Sequence, residues 1–580
     1  MRLLLITACC LLSYNNVFSQ GLERADTVYI NGNVLTVNGK NETATAFAVQ
    51  GDRFLTVGTR EETLLHRSKS TRIVDLKGAT VIPGLIDSHV HSTGASVYEY
   101  DHAVPPMHEI ADVLSYIKQR AELLEDDQWI SLSQVFITRL KEQRFPTRDE
   151  MDSVAPNNPV MFRTGPDTAV NSRALELSGI DDTFKVPEGA NYKLERDADG
   201  KLTGVLRSGR SLLKYESNTK SPSQEERISQ VKKLIHDYNS VGITSVSDRN
   251  AGDGAVDIWR TLHETKTLNV RVFLYYSMNA KAAPDAIAKR IEAAASDPLH
   301  QYNPHLWLRG VKVFLDGGML TGSAFMRKPW GVSEIYSITD PKYQGMRYIE
   351  QERLYQFSKL MLEKGFQMTA HSVGDGAVHA LLDAYRMIDE SDFKIKEHRP
   401  CITHCNFMSA DAIQSMAELG VVADLQPAWL YMDGKTLLRQ FGQKRTEFFQ
   451  PYRTLFDNGV VIGGGSDHMQ RIGSLRSVNP YNPFLGMWIT LKRQPRYMTT
   501  SLHPEQAITR QEALRLYTIN NAFLTFEEKQ KGSIEKGKLA DFVIIDRDIT
   551  KVDLDKVKDT RVLKTYLGGK LVYDSVKPRD

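Results

Sequence analysis

Short apolar runs rich in β-branched residues, each broken by a turn, occur at both ends of the chain. The N-terminal runs read TVYINGNVLTV, FAVQGDRFLTVG and TRIVDLKGATV, and the C-terminal runs read FVIID and VLKTYLGGKLVYD. Runs of this kind, bounded by glycine and asparagine, are typical of β-strands. We therefore predict that residues 20–80 and 528–580 form one small β-sandwich built from both chain ends.

Strand and helix patterns alternate through the middle of the chain, from residue 81 to residue 527. Repeated βα units at this spacing predict an α/β fold, a TIM-like (β/α)₈ barrel. The stretch from about Tyr100 to Ser223 is too long for one connection and mixes helix and strand patterns. We expect it to be an insertion that forms a roof over the site.

The first nineteen residues have the pattern of a signal peptide. Arg2 is their only charged residue, a ten-residue apolar core follows it, and Val17 and Ser19 are small enough for the −3 and −1 positions of a cleavage site. Ten residues are too few to cross a bilayer. We expect cleavage after Ser19 and a periplasmic or secreted protein, with a lipoprotein anchored through Cys9 or Cys10 as the alternative.

Composition and net charge indicate which kinds of partner to expect. The 580 residues are 41% hydrophobic and 25% charged, which is enough for a large core and a smaller companion domain. Loss of Arg2 with the signal peptide lowers the net charge from +2 to +1, so neither nucleic acid nor an anionic membrane is an expected partner. We expect a small-molecule substrate and no membrane span, and a homodimer is compatible with the sequence.

Two histidines at the end of an apolar strand are the strongest chemical signal. The segment GLIDSHVH places His89 and His91 two residues apart, and alternate residues of a strand point to the same face. Both imidazoles would therefore reach one point at the carboxyl end of a barrel strand, where such barrels keep their chemistry.

Four later strand ends each add a residue of ligand type. Lys312 lies inside an otherwise apolar strand, where an unpaired ammonium is costly to bury, so something must neutralise it, and Asp316 further along the same segment is a candidate partner. His371, His404 and Asp467 each follow an apolar run and precede a turn. Nitrogen and carboxylate donors of this kind suit zinc or a neighbouring first-row divalent ion. Cys401 and Cys405, the two cysteines beyond the signal peptide, are expected to pack rather than to form a redox pair.

The order of motifs along nearly all of the mature chain resembles the amidohydrolase superfamily. Within it the chain is similar to amidohydrolase family 3, the branch that includes N-substituted formamide deformylase-like enzymes. The motifs are ADTVYINGNVLTV, VIPGLIDSHVHS, PTRDEMDSVAPNNPV, VNSRALELSGI, VKVFLDGG, AHSVGDGAV, ITHC, GGGSDH, EALRLYTINNAF and GSIEKGKLADFVIID. The resemblance implies a metal-dependent hydrolase that cleaves a non-peptide C–N bond of a small molecule with metal-activated hydroxide.

The resemblance also assigns roles to the candidate ligands. It implies that His89, His91 and Asp467 hold one divalent ion, with zinc expected, and that His371 and His404 hold a second. Lys312 would bridge the two ions as a carbamate. Asp467 would also transfer the proton, although a helix N-cap is the alternative role for an aspartate in a GSD turn. One ion with an unmodified Lys312 is the alternative arrangement.

Residues near these ligands are candidates for substrate contact or for support of the ligands. They are Asp248, Arg249, Asp316, Gln426 and His468, with Trp429 as a further candidate for the pocket wall. The chain departs from the family at Pro166, where a histidine is usual, and at Ser208, where a glutamate is usual. Two alternatives to the main function stay open: a single-metal amidase or deacylase of N-acyl amino acids or cyclic amides, and a non-catalytic small-molecule binding protein. No GxSxG elbow, Walker loop or GxGxxG motif after a strand points to other chemistry.

Overall fold

The computed structural model describes residues 22–133, 135–190 and 192–576. The predicted signal peptide, residues 1–19, lies outside the described residues. Within the described part of the chain, no helix has both the length and the apolar character needed to cross a membrane.

Eight parallel strands form the barrel, and their order in the sheet is their order along the chain. The first to eighth barrel strands are Leu85–Val90, Ile243–Ala251, Arg271–Ser277, Leu306–Phe314, Gln367–Ser372, Cys401–His404, Val422–Leu425 and Ile462–Gly464. The ring closes where Val90 bridges to His468, and the His91 amide donates to the His468 carbonyl at 2.8 Å. The predicted TIM-like barrel is confirmed.

Helices connect the barrel strands and cover the outside of the sheet. They are Gln224–Ser240, Asp253–Glu264, Pro284–Ala295, Gln351–Glu363, Asp375–Ser391, Ala410–Leu419, Pro427–Arg445, Tyr452–Asp457, Pro483–Lys492, Arg510–Leu516 and Ile519–Leu524. The first of them begins with a capping box between Ser223 and Glu226, which satisfies free backbone amides at its start. Its buried Tyr238 reaches the site and donates a hydrogen bond to His468 Nδ1 at 2.8 Å.

Strands from both chain ends form the β-sandwich. One sheet has the order Arg53–Gly58, Ala46–Gln50, Thr27–Ile30, Arg72–Asp75, and the other has the order Lys570–Asp574, Val562–Leu567, Phe542–Ile545, Thr80–Pro83, Asn33–Leu35, Thr43–Ala44. Tyr29, Phe47 and Phe542 pack in its core with ring centroids 4.6–5.2 Å apart. Because Thr80–Pro83 pairs with Phe542–Ile545, the barrel starts at Leu85, a few residues later than the expected boundary at residue 81.

The segment between the first barrel strand and helix Gln224–Ser240 holds a five-stranded sheet of its own. Its order is Lys193–Arg196, Leu202–Arg207, Asp167–Val170, Val160–Thr164, Ile130–Ser133, and its helices include Ile110–Ala121, Arg148–Val154 and Ser172–Ser178. Arg207, fully buried, donates to the carbonyls of Thr321 and Tyr336 in the loop after the fourth barrel strand. This contact fixes the insertion to the carboxyl-end side of the barrel.

Candidate metal centre

Three donor atoms converge where the first and last barrel strands meet. His89 Nε2 and His91 Nε2 lie 3.3 Å apart, and Asp467 Oδ1 lies 3.4 Å from the first and 3.1 Å from the second. One ligand atom from each residue falls within a group no wider than 4.8 Å. Asp467 reaches this point because its amide donates to the His89 carbonyl at 2.8 Å, so the barrel seam and the donor cluster share a hydrogen bond.

His89 is oriented by a residue that the sequence did not single out. Its Nδ1 donates to Asp424 Oδ2 at 2.8 Å, which leaves Nε2 free to face His91 and Asp467. Asp424 lies in the seventh barrel strand and also pairs with Arg249 at 3.3 Å, and both side chains are fully buried. Arg249 in turn packs over the Tyr275 ring, 4.0 Å from its centroid. In the sequence, Asp424 is an acid within the otherwise apolar run VVADL, and this could have marked it as a buried functional residue.

His371 and His404 lie beside this cluster and are held in the same manner. His371 Nδ1 donates to Asp316 Oδ1 at 2.9 Å, and His404 Nδ1 donates to Gln426 Oε1 at 2.8 Å. The His404 ring lies 5.0 Å from that of His89 and 4.6 Å from that of His371. A histidine whose Nδ1 is bonded to a fixed acceptor presents Nε2 to a metal, which is the usual arrangement of metal-binding histidines.

Burial sets the charge of these groups. Burial holds the pKa of His89 well below the ordinary histidine value, and the charges of Lys312 and His404 lower it further. Burial also holds the pKa of His404 well below that value, and the charges of His371 and Lys312 lower it further. Neutral imidazole is the form that binds a metal. Burial lowers the pKa of Lys312 to about 8, against the opposing effect of Asp424. Lys312 is almost inaccessible yet lies on the wall of the cavity above the barrel.

The alternative partner for Lys312 is engaged elsewhere. Asp316 accepts hydrogen bonds from His371 Nδ1 and from the amides of Phe325 and Gly374, at 2.9–3.1 Å. Asp316 therefore works as the anchor of His371. Asp467 is likewise not a helix N-cap, because the next helix begins at Pro483.

Backbone conformation at the site is specific. Asp467 and His404 adopt positive φ angles of 55° and 82°. Such values are unusual outside glycine, and surrounding contacts must enforce them. Gly465 permits the close approach of this turn to the first strand, since a Cβ there would lie 2.8 Å from the His89 amide nitrogen. Buried Asp87, whose importance the sequence did not reveal, ties the same seam by accepting from the amides of His89 and Ser466 at 2.9 and 3.0 Å.

The remaining candidates divide into pocket wall and support. Asp248, Trp429 and Asp316 line the cavity, and Asp248 also accepts from Trp259 Nε1 at 3.0 Å. Burial raises the pKa of Asp248 to about 6. His468 points away from the cavity, because its ring nitrogens bond to Tyr238 Oη and to backbone carbonyls that include that of Arg471. Arg249 and Gln426 thus contact Asp424 and His404, and the His468 backbone contacts His91, whereas Asp248 and Asp316 lie on the cavity wall.

A cavity of about 920 Å³ lies above the donors, between the barrel and the insertion. The insertion contributes Phe136, Arg163, Pro166 and Ser208 to its wall, so both positions at which the sequence departs from the family face this space. A volume of this size is in the usual range for small-molecule sites.

The residues present fit a divalent ion. Two histidine nitrogens and one carboxylate oxygen, with a buried carboxylate behind one histidine, form the donor set of hydrolytic zinc sites. His371 and His404 offer two further nitrogens beside Lys312 on the same wall.

Comparison with known proteins agrees with the geometry. The amidohydrolase family model matches residues 72–573. N-substituted formamide deformylase from Arthrobacter pascens is 28% identical over 561 residues, which cover 95% of this chain and 98% of that protein.

Solved structures show the same fold. An uncharacterized metal-dependent hydrolase from Pyrococcus horikoshii superposes with a TM-score of 0.64 at 20% identity, covering 91% of this chain and 99% of that one. Atrazine chlorohydrolase TrzN from Arthrobacter aurescens, complexed with zinc, gives 0.53 at 14% identity, with 95% and 96% covered. The predicted class of enzyme, a metal-dependent hydrolase of carbon–nitrogen bonds other than peptide bonds, is confirmed by the family match. This chain belongs to the amidohydrolase family.

Proposed function

We propose that this enzyme hydrolyses an amide-type C–N bond of a small molecule, with zinc as its ion. The observation that carries the proposal is the convergence of His89 Nε2, His91 Nε2 and Asp467 Oδ1 at the floor of the large cavity. The similarity to a formamide deformylase supports amides as substrates, and the zinc complex of a structural neighbour supports zinc. When bound, such an ion lowers the pKa of its water toward about 7 and polarises a carbonyl.

The chain's own residues supply orientation and proton transfer. Asp467 Oδ1 lies at the donor cluster and faces the cavity, so it can take a proton from the attacking water and return it to the leaving nitrogen. Asp424, Asp316 and Gln426 keep the histidine Nδ1 atoms protonated and the Nε2 atoms directed inward.

Two ions per chain, bridged by a carbamate of Lys312, are part of the proposal. A buried amine with a pKa of about 8 is partly neutral near that pH, and the neutral amine is the form that reacts with carbon dioxide. The product is an anion, which would suit a position on the wall that also carries His91, His371 and His404 and beside a divalent ion. The single-ion form, with unmodified Lys312, is the alternative that metal analysis distinguishes.

The test is hydrolysis of an amide panel by protein loaded with zinc or manganese. The panel contains N-substituted formamides, N-acyl amino acids and cyclic amides, and the released amine is measured. We expect turnover of at least one class, loss of activity on dialysis against a chelator, and recovery on adding metal. His89→Ala should abolish activity, whereas His263→Ala, on an outer helix, should not. Full activity without metal would refute the proposal, and metal binding without turnover on any amide would favour a binding protein.

Export is also proposed, on the signal-peptide pattern of residues 1–19 alone. Cell fractionation and N-terminal sequencing of the mature protein test it, with Gln20 as the expected first residue. Size-exclusion chromatography of the same material tests the homodimer.

A further inference from the structure

Arg163 is a positive charge without a counter-ion in the wall of the cavity. It lies on strand Val160–Thr164 of the insertion, half-buried, and its side chain faces the cavity. Among the described residues, no carboxylate lies within ion-pair distance of its guanidinium and no acceptor bonds to it. Burial, with the nearby guanidinium of Arg210, lowers the pKa of Arg163, but an arginine stays charged at physiological pH.

A second cation stands at the mouth of the same cavity. Lys281 follows the third barrel strand, is exposed, and holds its ammonium 5.2 Å from the centre of the Tyr348 ring. It too has no carboxylate within ion-pair distance in the described part of the chain. The Tyr348 hydroxyl is hydrogen-bonded to Ser208 Oγ at 2.5 Å, so the lysine is held beside a neutral pair.

The acids of the cavity cannot serve as internal partners for these cations. Asp467 belongs to the donor cluster, Asp316 is bonded to His371 and three backbone amides, and Asp248 is buried and bonded to Trp259. All three lie at strand ends of the barrel, whereas Arg163 lies in the roof. Partial burial of a charge without a partner is unfavourable, and an anion that enters the cavity from outside would supply the partner.

We propose that Arg163, assisted by Lys281, binds a carboxylate of the substrate, so that the enzyme acts on amides that carry a carboxylate and an apolar group. The planar guanidinium matches a carboxylate with two parallel hydrogen bonds. The apolar group would lie against the hydrophobic part of the wall, which includes Phe136, Met278, Met319, Leu320 and Ile349. This inference rests on the proposed amide hydrolysis for the identity of the reacting bond.

The test compares two substrates that differ only in the carboxylate. N-formylphenylalanine and N-formyl-2-phenylethylamine share the amide and the ring, and kcat/KM is measured for both with zinc-loaded protein. We expect wild type to prefer the acid. Arg163→Gln should lower that preference about 10- to 100-fold, the usual effect of losing a hydrogen bond between charged groups. Lys281→Gln should lower it about two- to fivefold, because its charge is screened by solvent.

Two control variants distinguish the effect of a positive charge in the cavity wall from the effect of the protein's net charge. Lys201→Gln removes one exposed positive charge from the same insertion, outside the cavity wall, and should leave the preference unchanged. Arg163→Lys should recover part of the preference. Thermal unfolding of each variant checks that the roof stays folded.

A binding experiment keeps the inference testable if neither amide is hydrolysed. Isothermal titration of metal-free protein with N-formylphenylalanine should give binding that weakens with salt and is lost in Arg163→Gln. If that binding is present without turnover, amide hydrolysis fails and the anion site stands. If both amides are hydrolysed with equal kcat/KM, or Arg163→Gln keeps the preference of wild type, the anion site is refuted and hydrolysis stands.

Discussion

Replacing Asp424 by asparagine tests whether the buried carboxylate behind His89 builds the metal centre. Asp424 Oδ2 accepts from His89 Nδ1 at 2.8 Å and from Gln426 Nε2 at 3.0 Å, and Asp424 Oδ1 pairs with Arg249 at 3.3 Å. Both oxygens thus face donors. An amide nitrogen at either position places a donor against a donor, so no rotamer of the asparagine restores the network.

Each placement of the amide nitrogen has its own cost. Beside His89, it forces the ring proton from Nδ1 to Nε2, the atom that faces the other donors. Beside Arg249, it places a second donor against a fully buried guanidinium. In either placement the neutral amide removes the counter-ion of Arg249. Loss of such a supporting partner typically weakens metal binding about 10- to 100-fold, or about 1.4 to 2.8 kcal/mol. Breaking a buried ion pair costs about 3 to 5 kcal/mol, and we expect the lower end because Arg249 keeps its bond to the Ser88 carbonyl.

Two measurements separate the effects. Competition with a chromogenic chelator gives the zinc dissociation constant, and urea unfolding in chelator gives the stability of metal-free protein. Asp411→Asn is the matched control, because its ion pair with Arg327 is mostly exposed and should contribute less than about 1 kcal/mol. In the double variant Asp424→Asn with Arg249→Met, the unpaired charge is gone, so stability should partly recover while zinc affinity stays low. A folded Asp424→Asn protein with zinc affinity within about threefold of wild type would refute the reasoning.

Two further variants address the chemistry directly. Asp467→Asn should retain part of its metal but lower kcat by about 100-fold or more, the usual contribution of a proton-transfer group; an unchanged kcat with weaker metal binding would make Asp467 a ligand only. Lys312→Ala should lower the metal content from two ions to one by elemental analysis, and short carboxylic acids should partly restore the second ion by supplying the missing bridge. An active two-ion enzyme with an unmodified Lys312 in a crystal structure would refute the carbamate.

The alternation of residues along strands pointed to the candidate donors, and Asp316 and Gln426, which hold His371 and His404, were also among the candidates from the sequence. The partner of His89 was not. His89 and His91 follow from alternation along one strand, Lys312 lies inside an otherwise apolar strand, and His371, His404 and Asp467 each follow an apolar run. Asp424 lies 335 residues from His89. The side chain that faces a given histidine inside a closed barrel depends on strand tilt and register, which the sequence pattern does not encode.

The strand pairing of the insertion also could not be predicted from the sequence pattern. Its length and mixed pattern predicted a roof, but its sheet also joins segments that are far apart along the chain, since Leu202–Arg207 pairs with Asp167–Val170. Such pairings depend on long-range packing rather than on local preference. The unpaired charge of Arg163 is therefore visible only in the structure. In sequence it is one arginine in an apolar strand, for which a salt bridge is the ordinary expectation.

Because the donors lie at the barrel seam, we expect metal binding to be coupled to closure of the barrel. The first and last barrel strands are far apart in sequence, and the bonds that join them run through the site: the Asp467 amide to the His89 carbonyl, and the Asp87 carboxylate to the amides of His89 and Ser466. Closing the ring therefore aligns His89 with Asp467, and separating these strands would separate the donors. An ion held by both strands stabilises the closed barrel by its own binding energy, because the open chain has no equivalent site.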